Sequence, residues 1–469
     1  SHLPAVTKAI YPAGRQNPNL LYTGTYTSNM KIIASVIFFF PLFWKSLNIE
    51  AQNPVPAKLQ TKSILLLNGA AHIGNGKTIE NSVIGFRNGK LTLVTNAAVV
   101  KINPGEWDTT INVSGKHVYP GIIAPATNLG LHEVGAVRAT KDDADVGYIT
   151  PHLRAGIAYN TDSKIPPTSR SNGVLIAQVA PSGGLISGTS SVMELDGWNW
   201  EDAVYKIDDG IHLNWPRMQS RSWNWGTEEE GAAEKNKEYE KTVNTLEKFF
   251  SDAKSYHETD MKEEKNLRFE AMKGIFSGTQ TLYIYADNTK EITESVNFAK
   301  KNGAKKIVLV GGRESWMAAD FLKENNVSVI VYRVHSLPSR TEEDIDLPYK
   351  LPALLKEKGV LFCLSNEGGR EAIQTRNIPF IAGTAATYGL SKEDALKAIT
   401  LDAAKILGID KTAGSLEEGK DATLFVSDGD ALDMKSNNVT LAFIRGKKLN
   451  LDNEQKKLYE RYVNKYGLK

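Results

Sequence analysis

The chain has 469 residues, which suits a large barrel with a satellite domain, or two to three domains, better than one small domain. It is 41% hydrophobic and 23% charged, with a formal net charge of +2, as in ordinary soluble globular proteins. This balance argues against a nucleic-acid-binding protein, which needs a concentrated basic face. A single cysteine, Cys363, excludes an internal disulfide and a cysteine-rich zinc site.

The first 51 residues are predicted to be a leader segment. A stretch that begins at Met30 is almost wholly apolar from Ile32 to Trp44, which is short for a membrane span and typical of a secretory signal. We therefore expect a signal peptide over 30–51, translation from Met30, and export to the periplasm. An uncleaved anchor or a buried apolar segment is the alternative. Because no later run is apolar over about 18 residues, we expect no stable membrane span.

Residues 60–120 are predicted to form the N-terminal part of a small β domain. Two alternating runs there are joined by Asn88 and Gly89, a strong hairpin signal. Residues 411–452 return to short strands and turns, and we expect them to complete the same domain. An amphipathic pattern over 453–469 predicts a closing helix.

Residues 121–410 have a different texture, in which apolar strand-like runs alternate with helical patterns. Such alternation indicates βα units and a parallel sheet. At this length the prediction is an α/β fold: a (β/α)8 TIM barrel with a small composite β domain formed from both ends of the mature chain. The charged segment 227–276 is predicted to be a helical insert with a solvated face. A capping box at Ser391 and a stop at Gly408 predict the last barrel helix.

Two stretches carry a resemblance to a known family. "YPGII" resembles the turn into the first barrel strand of the amidohydrolase superfamily, close to its imidazolonepropionase-like branch. "YGLSKEDALKAITLDAAKILGIDKTAGSLEEGKDATLFVSDGDAL" resembles the last barrel helix of that family and its return into the β domain. The resemblance covers residues 60–469. It implies a hydrolase of C–N bonds in cyclic amides or peptide-like compounds.

The resemblance also implies one or two divalent metals, such as zinc, at the mouth of the barrel. There the metal activates a water, and an aspartate on the last strand takes its proton. In this sequence the positions that match the metal ligands and the aspartate are occupied by Ala126, Asn128, Tyr285, Gly311 and Asn366. Alanine and glycine offer no ligand, and neutral asparagine oxygen is a weak one. We therefore expect no metal and no other cofactor, with these positions forming a ligand pocket.

Other polar residues are candidates for chemistry without a metal. His132, His335, Asp287 and Glu367 follow predicted barrel strands, and catalytic residues in this fold come from the ends of different strands. The alternative is that they are merely polar because barrel mouths face water. The remaining histidines considered are predicted to be surface or internally satisfied residues: His2, His72, His117 and His257.

Three functions stay open from the sequence. The first is a degenerate amidohydrolase that binds a small molecule or supports a partner, such as an active paralogue or a second copy of itself. The second is a divergent enzyme that uses His132, His335, Asp287 or Glu367. The third is an ordinary metal-dependent amidohydrolase whose ligands lie elsewhere in the chain.

Overall fold

The structure is a computed structural model that describes residues 55–220, 234–259, 264–332, 334–366 and 372–468. The predicted leader and signal peptide lie outside these residues. No helix in the described part of the chain is both long enough and apolar enough to cross a bilayer.

The strands are described first, because they place the site. In chain order they are β1 (Ile64–His72), β2 (Thr78–Arg87), β3 (Lys90–Asn96), β4 (Thr109–Asn112), β5 (His117–Pro120), β6 (Ile122–Thr127), β7 (Val174–Val179), β8 (Ile186–Glu194), β9 (Val204–Asn214), β10 (Gln219–Ser220), β11 (Glu234–Lys235), β12 (Thr281–Ala286), β13 (Ile307–Gly311), β14 (Ser328–Val331), β15 (Phe362–Leu364), β16 (Leu424–Ser427), β17 (Val439–Ile444) and β18 (Lys447–Lys448).

The helices fall mainly between the barrel strands and after them. They are α1 (Ala155–Ala158), α2 (Ile165–Arg170), α3 (Trp200–Ala203), α4 (Tyr239–Glu258), α5 (Leu267–Ser277), α6 (Thr289–Lys301), α7 (Ala319–Glu324), α8 (Leu347–Lys358), α9 (Ile378–Thr387), α10 (Lys392–Ala398), α11 (Leu401–Leu407) and α12 (Glu454–Tyr466). Short 3-10 helices occupy Pro104–Glu106, Arg138–Thr140 and Ala372–Asn377.

One sheet combines strands from both ends of the described chain. Its order is β18-β17-β16-β5-β1-β2-β3, with β4 paired to β1. β5 and β16 run antiparallel, and Val118 lies opposite Val426. The predicted hairpin is confirmed: Asn88 and Gly89 have φ of 51° and 77°, which the favoured two-residue hairpin turn requires. The composite β domain of the predicted fold is therefore present.

The second large sheet is the barrel. Its eight strands follow the order β6-β7-β8-β9-β12-β13-β14-β15. Every neighbouring pair is parallel except the two that involve β8, which runs antiparallel to both β7 and β9. The predicted barrel is confirmed, with the difference that β7, β8 and β9 form an antiparallel meander. Strand β8 was not predicted from the sequence, because the small residues from Ser187 to Ser191 are typical of loops, although all of them are buried here.

The two edges of the barrel sheet meet through a few direct contacts. The Ser365 hydroxyl donates to the carbonyl oxygen of Pro125 at 2.8 Å, joining the end of β15 to β6. The backbone N–H of Ile123 donates to the carbonyl oxygen of Ile399 at 2.9 Å. These bonds satisfy backbone groups that an open edge would leave unpaired.

Side chains alternate between the barrel interior and its outer layer of helices, as the period of a strand requires. Tyr283 packs in an interior cluster with Ile176 and Val308, whereas its neighbour Ile284 packs in the outer cluster. Leu407 of α11 belongs to the interior cluster. The predicted last barrel helix is divided into two helices, α10 and α11. As predicted, the segment begins after Ser391 and ends before Gly408.

Candidate functional site

The first two positions aligned with metal ligands lie at the end of β6. Ala126 is fully buried and has a φ of 48°, a left-handed conformation that alanine seldom adopts. Its backbone N–H donates to the Gln178 Oε1 atom at 2.9 Å, which helps to hold this conformation. The side chain of Asn128 is turned toward His132, with its Nδ2 atom 3.5 Å from the imidazole Nδ1.

The next two positions lie at the ends of β12 and β13. The Tyr285 hydroxyl is 2.8 Å from the Nδ1 atom of His212 on β9. Gly311 has a φ of 93°, and a Cβ atom at this residue would lie 2.8 Å from the Asp287 Oδ1 atom. A larger side chain at residue 311 would therefore meet both backbone strain and the carboxylate of Asp287.

The last position follows β15. The Nδ2 atom of Asn366 donates to the carbonyl oxygen of Gln374 at 2.6 Å, and the residue is buried. An aspartate here would present an oxygen to that carbonyl in place of the N–H, so the local structure is built for the amide.

These residues do not fit the family's metal. Ala126 and Gly311 have no side-chain atom that could bind a metal. The amides of Asn128 and Asn366 and the phenol of Tyr285 are neutral, weak metal ligands that already form hydrogen bonds within the protein. Among the described residues, no group of three or more His, Cys, Asp or Glu side chains could hold a metal ion.

His212 is a buried histidine that the sequence analysis did not single out. Its ring stacks on Tyr283, with centroids 4.8 Å apart and an interplanar angle of 17°. Burial lowers the pKa of His212 to about 3, so the imidazole is neutral at physiological pH. Its Nε2 atom has no hydrogen-bond partner in the described structure. The ring therefore holds the Tyr285 hydroxyl without placing a charge inside the barrel.

A polar network lies beside this histidine in the barrel core. The carboxylate of Asp209 is fully buried and accepts hydrogen bonds from Tyr283 OH at 2.7 Å and Gln178 Nε2 at 2.6 Å. Lys206 Nζ lies 2.7 Å from its other oxygen. Because Gln178 also accepts the N–H of Ala126, the network reaches the end of β6. It therefore contacts the strand end at which the first two positions aligned with metal ligands lie.

A cavity of about 1050 Å³ opens over the ends of β9, β12, β13 and β14. Its walls include Asn214, Trp215, Arg217, Tyr285, Asp287, Val310, Arg313, Glu314, Tyr332 and Arg340. A smaller cavity of about 160 Å³ lies next to it and shares Arg313 and Tyr332, with Gly311 in its wall. The large cavity is of the size that binds small molecules in other proteins.

The candidate catalytic residues do not gather in this cavity. Asp287 lines it. His132 is buried beside Asn128 and lies 4.0 Å from the Asp143 carboxylate. His335 is exposed, with its Nε2 atom 2.7 Å from the Thr384 hydroxyl. Glu367 lies outside the described residues. Of the five positions aligned with metal ligands, only Tyr285 lines the large cavity within the described part of the chain.

Sequence reasoning missed His212 and the arginines of the cavity. The histidine carries a usable signal, because Gly210, His212 and Asn214 are alternate residues of one strand and share a face. Arg217 and Arg313 follow strands β9 and β13 in loops, where no periodicity marks a residue that faces a cavity.

Comparisons with known proteins agree with this architecture. Residues 317–449 match the model of the amidohydrolase family. No curated protein sequence matches the chain.

Solved structures extend the similarity to most of the chain. An amidohydrolase from Thermotoga maritima MSB8 superposes with a TM-score of 0.71 at 23% identity, covering 82% of this chain and 99% of the other. A Xaa-Pro dipeptidase with bound methionine gives a TM-score of 0.52 at 13% identity, covering 83% and 100%. A molinate hydrolase gives 0.51 at 10% identity, covering 84% and 96%. At these identities the similarity establishes the fold.

Proposed function

We propose that this chain, whose residues 317–449 match the amidohydrolase family and whose fold is that of a solved amidohydrolase, has lost metal-dependent hydrolysis. One observation carries the proposal. At the strand-end positions that match the metal ligands, each side chain either has no atom that could bind a metal or forms a hydrogen bond with another protein group. These residues are Ala126, Asn128, Tyr285, Gly311 and Asn366. The barrel mouth then serves to bind a small molecule in the cavity over β9 and β12 to β14.

We expect the purified chain to contain far less than one metal ion per molecule. The protein would be produced in medium supplemented with zinc and manganese, and its metal content measured by elemental analysis. The expected content is below about 0.1 ion per chain, because ligands without anionic oxygen or imidazole nitrogen give little affinity. A stoichiometric metal that chelators remove with loss of turnover would contradict the proposal.

A restoration variant tests whether the positions are assigned correctly. Ala126→His, Asn128→His and Asn366→Asp together return three ligands of the kind that bind zinc. The triple variant is expected to take up more zinc than the wild type in the same measurement. Gly311 is left unchanged, because the Asp287 carboxylate lies 2.8 Å from the position of its missing Cβ. A triple variant that still excludes zinc would count against the assigned positions.

A divergent, metal-independent hydrolase is the second candidate. The observation in its favour is that Asp287 and the Tyr285 hydroxyl line one cavity and that His212 orients the hydroxyl. Such an enzyme would hydrolyse cyclic amides, the substrate type of the imidazolonepropionase-like branch. Its turnover would survive chelation and fall in Asp287→Asn. Absence of turnover in the wild type would leave ligand binding as the function.

Export and partnership are part of the proposal. We propose that residues 30–51 direct the chain to the periplasm, where it self-associates or binds an active paralogue. Export is tested by fusing this segment to a reporter protein that matures only outside the cytoplasm. Self-association is tested by light scattering of the mature chain. A reporter that stays inactive would contradict the export proposal.

A further inference from the structure

The acidic side chains of the large cavity are already engaged by the protein. The buried carboxylate of Glu314 accepts the backbone N–H of Thr289 at 2.8 Å and forms an ion pair with Arg340. Glu291 accepts the backbone N–H of Met218 at 2.8 Å. Asp287 accepts the backbone N–H of Arg313 at 3.3 Å. These carboxylates shape the loops, so they offer little to a ligand.

Two of the three arginines that line the same cavity, Arg217 and Arg313, are not engaged to the same extent. In the described part of the chain, the guanidinium of Arg217 has neither an ion pair nor a hydrogen bond. The nearest ion-pair contact of the Arg313 guanidinium is 3.9 Å, to Asp287 Oδ2, which is beyond hydrogen-bond distance. Each guanidinium has five N–H donors. These two guanidinium groups are free to donate to a ligand, although the three arginines and four carboxylates that line the cavity sum to a formal charge of −1.

Part of the remaining cavity wall is apolar and aromatic, and part is polar, with Asn214, Gln219, Asn288, Ser339 and Thr341 among its residues. The rings of Tyr285 and Tyr332 lie 6.4 Å apart with an interplanar angle of 52°. Leu337 and Ile345 also line the cavity and are 75% and 63% exposed, unusually high values for large apolar residues. Exposed apolar side chains around a concave site mark a surface that a ligand covers.

We propose that this cavity binds an organic anion with an apolar body. Arg217 and Arg313 donate to its carboxylate or phosphate oxygens, while its body lies against Tyr285, Tyr332 and Leu337. Planar carboxylate and tetrahedral phosphate can each present two oxygens to the paired N–H groups of one guanidinium. This inference rests on the proposed ligand-binding function and assigns the chemical class of the ligand.

The test uses four probes with the same phenyl body and different heads. These are 3-phenylpropionate, 3-phenylpropyl phosphate, 3-phenylpropanol and 3-phenylpropylamine, titrated into the full mature chain by calorimetry. We expect one or both anionic probes to bind at least about tenfold more tightly than the alcohol and the amine, since only the anions form hydrogen-bonded ion pairs with the guanidinium groups. Preference between propionate and phosphate then identifies the head group.

Arginine variants locate the binding site. Arg313→Gln and Arg217→Gln are each expected to weaken the preferred anion by about tenfold and to leave the weak binding of the alcohol unchanged. Arg461→Gln, an exposed arginine on α12, is the matched control and should bind as the wild type does. Each substituted residue is exposed, and thermal unfolding of each variant checks that the substitution has not disturbed the fold.

The outcomes separate this inference from the proposed function. Equal affinity for anion and alcohol, no binding of either anionic probe, or unchanged affinity in both arginine variants would overturn the anion site. The metal content of the same preparation reports independently on the proposed function. A metal-free protein that prefers the alcohol would support the proposed function and contradict the anion site. A protein that binds both a stoichiometric metal and the anion would contradict the proposed function and support the anion site.

Discussion

Acidification from about pH 6.5 to pH 5 is expected to destabilise the wild-type protein by about 2 kcal/mol through His212 alone. Burial holds the pKa of this imidazole to about 3 in the folded state. In the unfolded chain a histidine titrates near 6.5. The folded pKa is thus depressed, so its contribution to stability is complete above about pH 6.5 and is lost as the pH falls toward 3. The unfolded state takes up a proton in this range that the folded state cannot accept.

The measurement is the free energy of unfolding in urea at both pH values, for the wild type and for His212→Gln. The variant is expected to lose about 2 kcal/mol less on acidification, whatever its stability at neutral pH. His152→Gln is the control, because it makes the same substitution at an exposed histidine. A His212→Gln variant with the wild-type pH dependence would mean that the buried ring accepts a proton in the folded state.

Replacing Asp209 by asparagine is expected to lower the free energy of unfolding by about 3 kcal/mol. All the groups that approach this carboxylate are donors: Tyr283 OH, Gln178 Nε2 and the ammonium group of Lys206. The amide removes the negative charge that pairs with Lys206. In either orientation it also turns an NH₂ group toward a donor. One buried donor then loses its acceptor in a site closed to water.

The neighbouring residue supplies the matched control. Asp208 pairs with Arg154 at 2.8 Å, but both side chains are about one third exposed. Because solvent screens such a pair, Asp208→Asn should change the free energy of unfolding by less than about 1 kcal/mol. Urea unfolding of the two variants side by side measures the difference. Equal losses in the two would show that the interior network adds nothing beyond an ordinary surface ion pair.

Much of the architecture follows from local patterns in the sequence. Strand β12 is an uninterrupted run of residues that favour strands, and a helical pattern follows it. Such βα units indicate a parallel sheet. The antiparallel β8 could not be predicted in this way. Its sequence, from Ile186 to Glu194, is rich in Ser, Gly and Thr, which are common in loops. They are buried here because the barrel satisfies their hydroxyls: Ser190 donates to the carbonyl of Gly210.

The site is partly predictable for a related reason. Residues at the carboxyl ends of parallel strands meet at one end of a barrel, so Tyr285 and Asp287 could be placed at the mouth from the strand pattern. His132 and His335 follow strands as well, but the loops that carry them turn their side chains toward Asp143 and Thr384. Loop conformation depends on such tertiary contacts. The cavity arginines were missed because they too lie in loops.

The pairing of β5 with β16 has a consequence for how the protein is made. β5 ends at Pro120, whereas β16 begins at Leu424, so the early strands are synthesised long before the strand that covers their edge. At about 5–20 residues per second the interval is roughly 15–60 s. During that time β5 presents unpaired N–H and C=O groups, the kind of edge that recruits other strands. Premature termination ahead of β16 would make this exposure permanent, and we expect such fragments to aggregate or to need a chaperone.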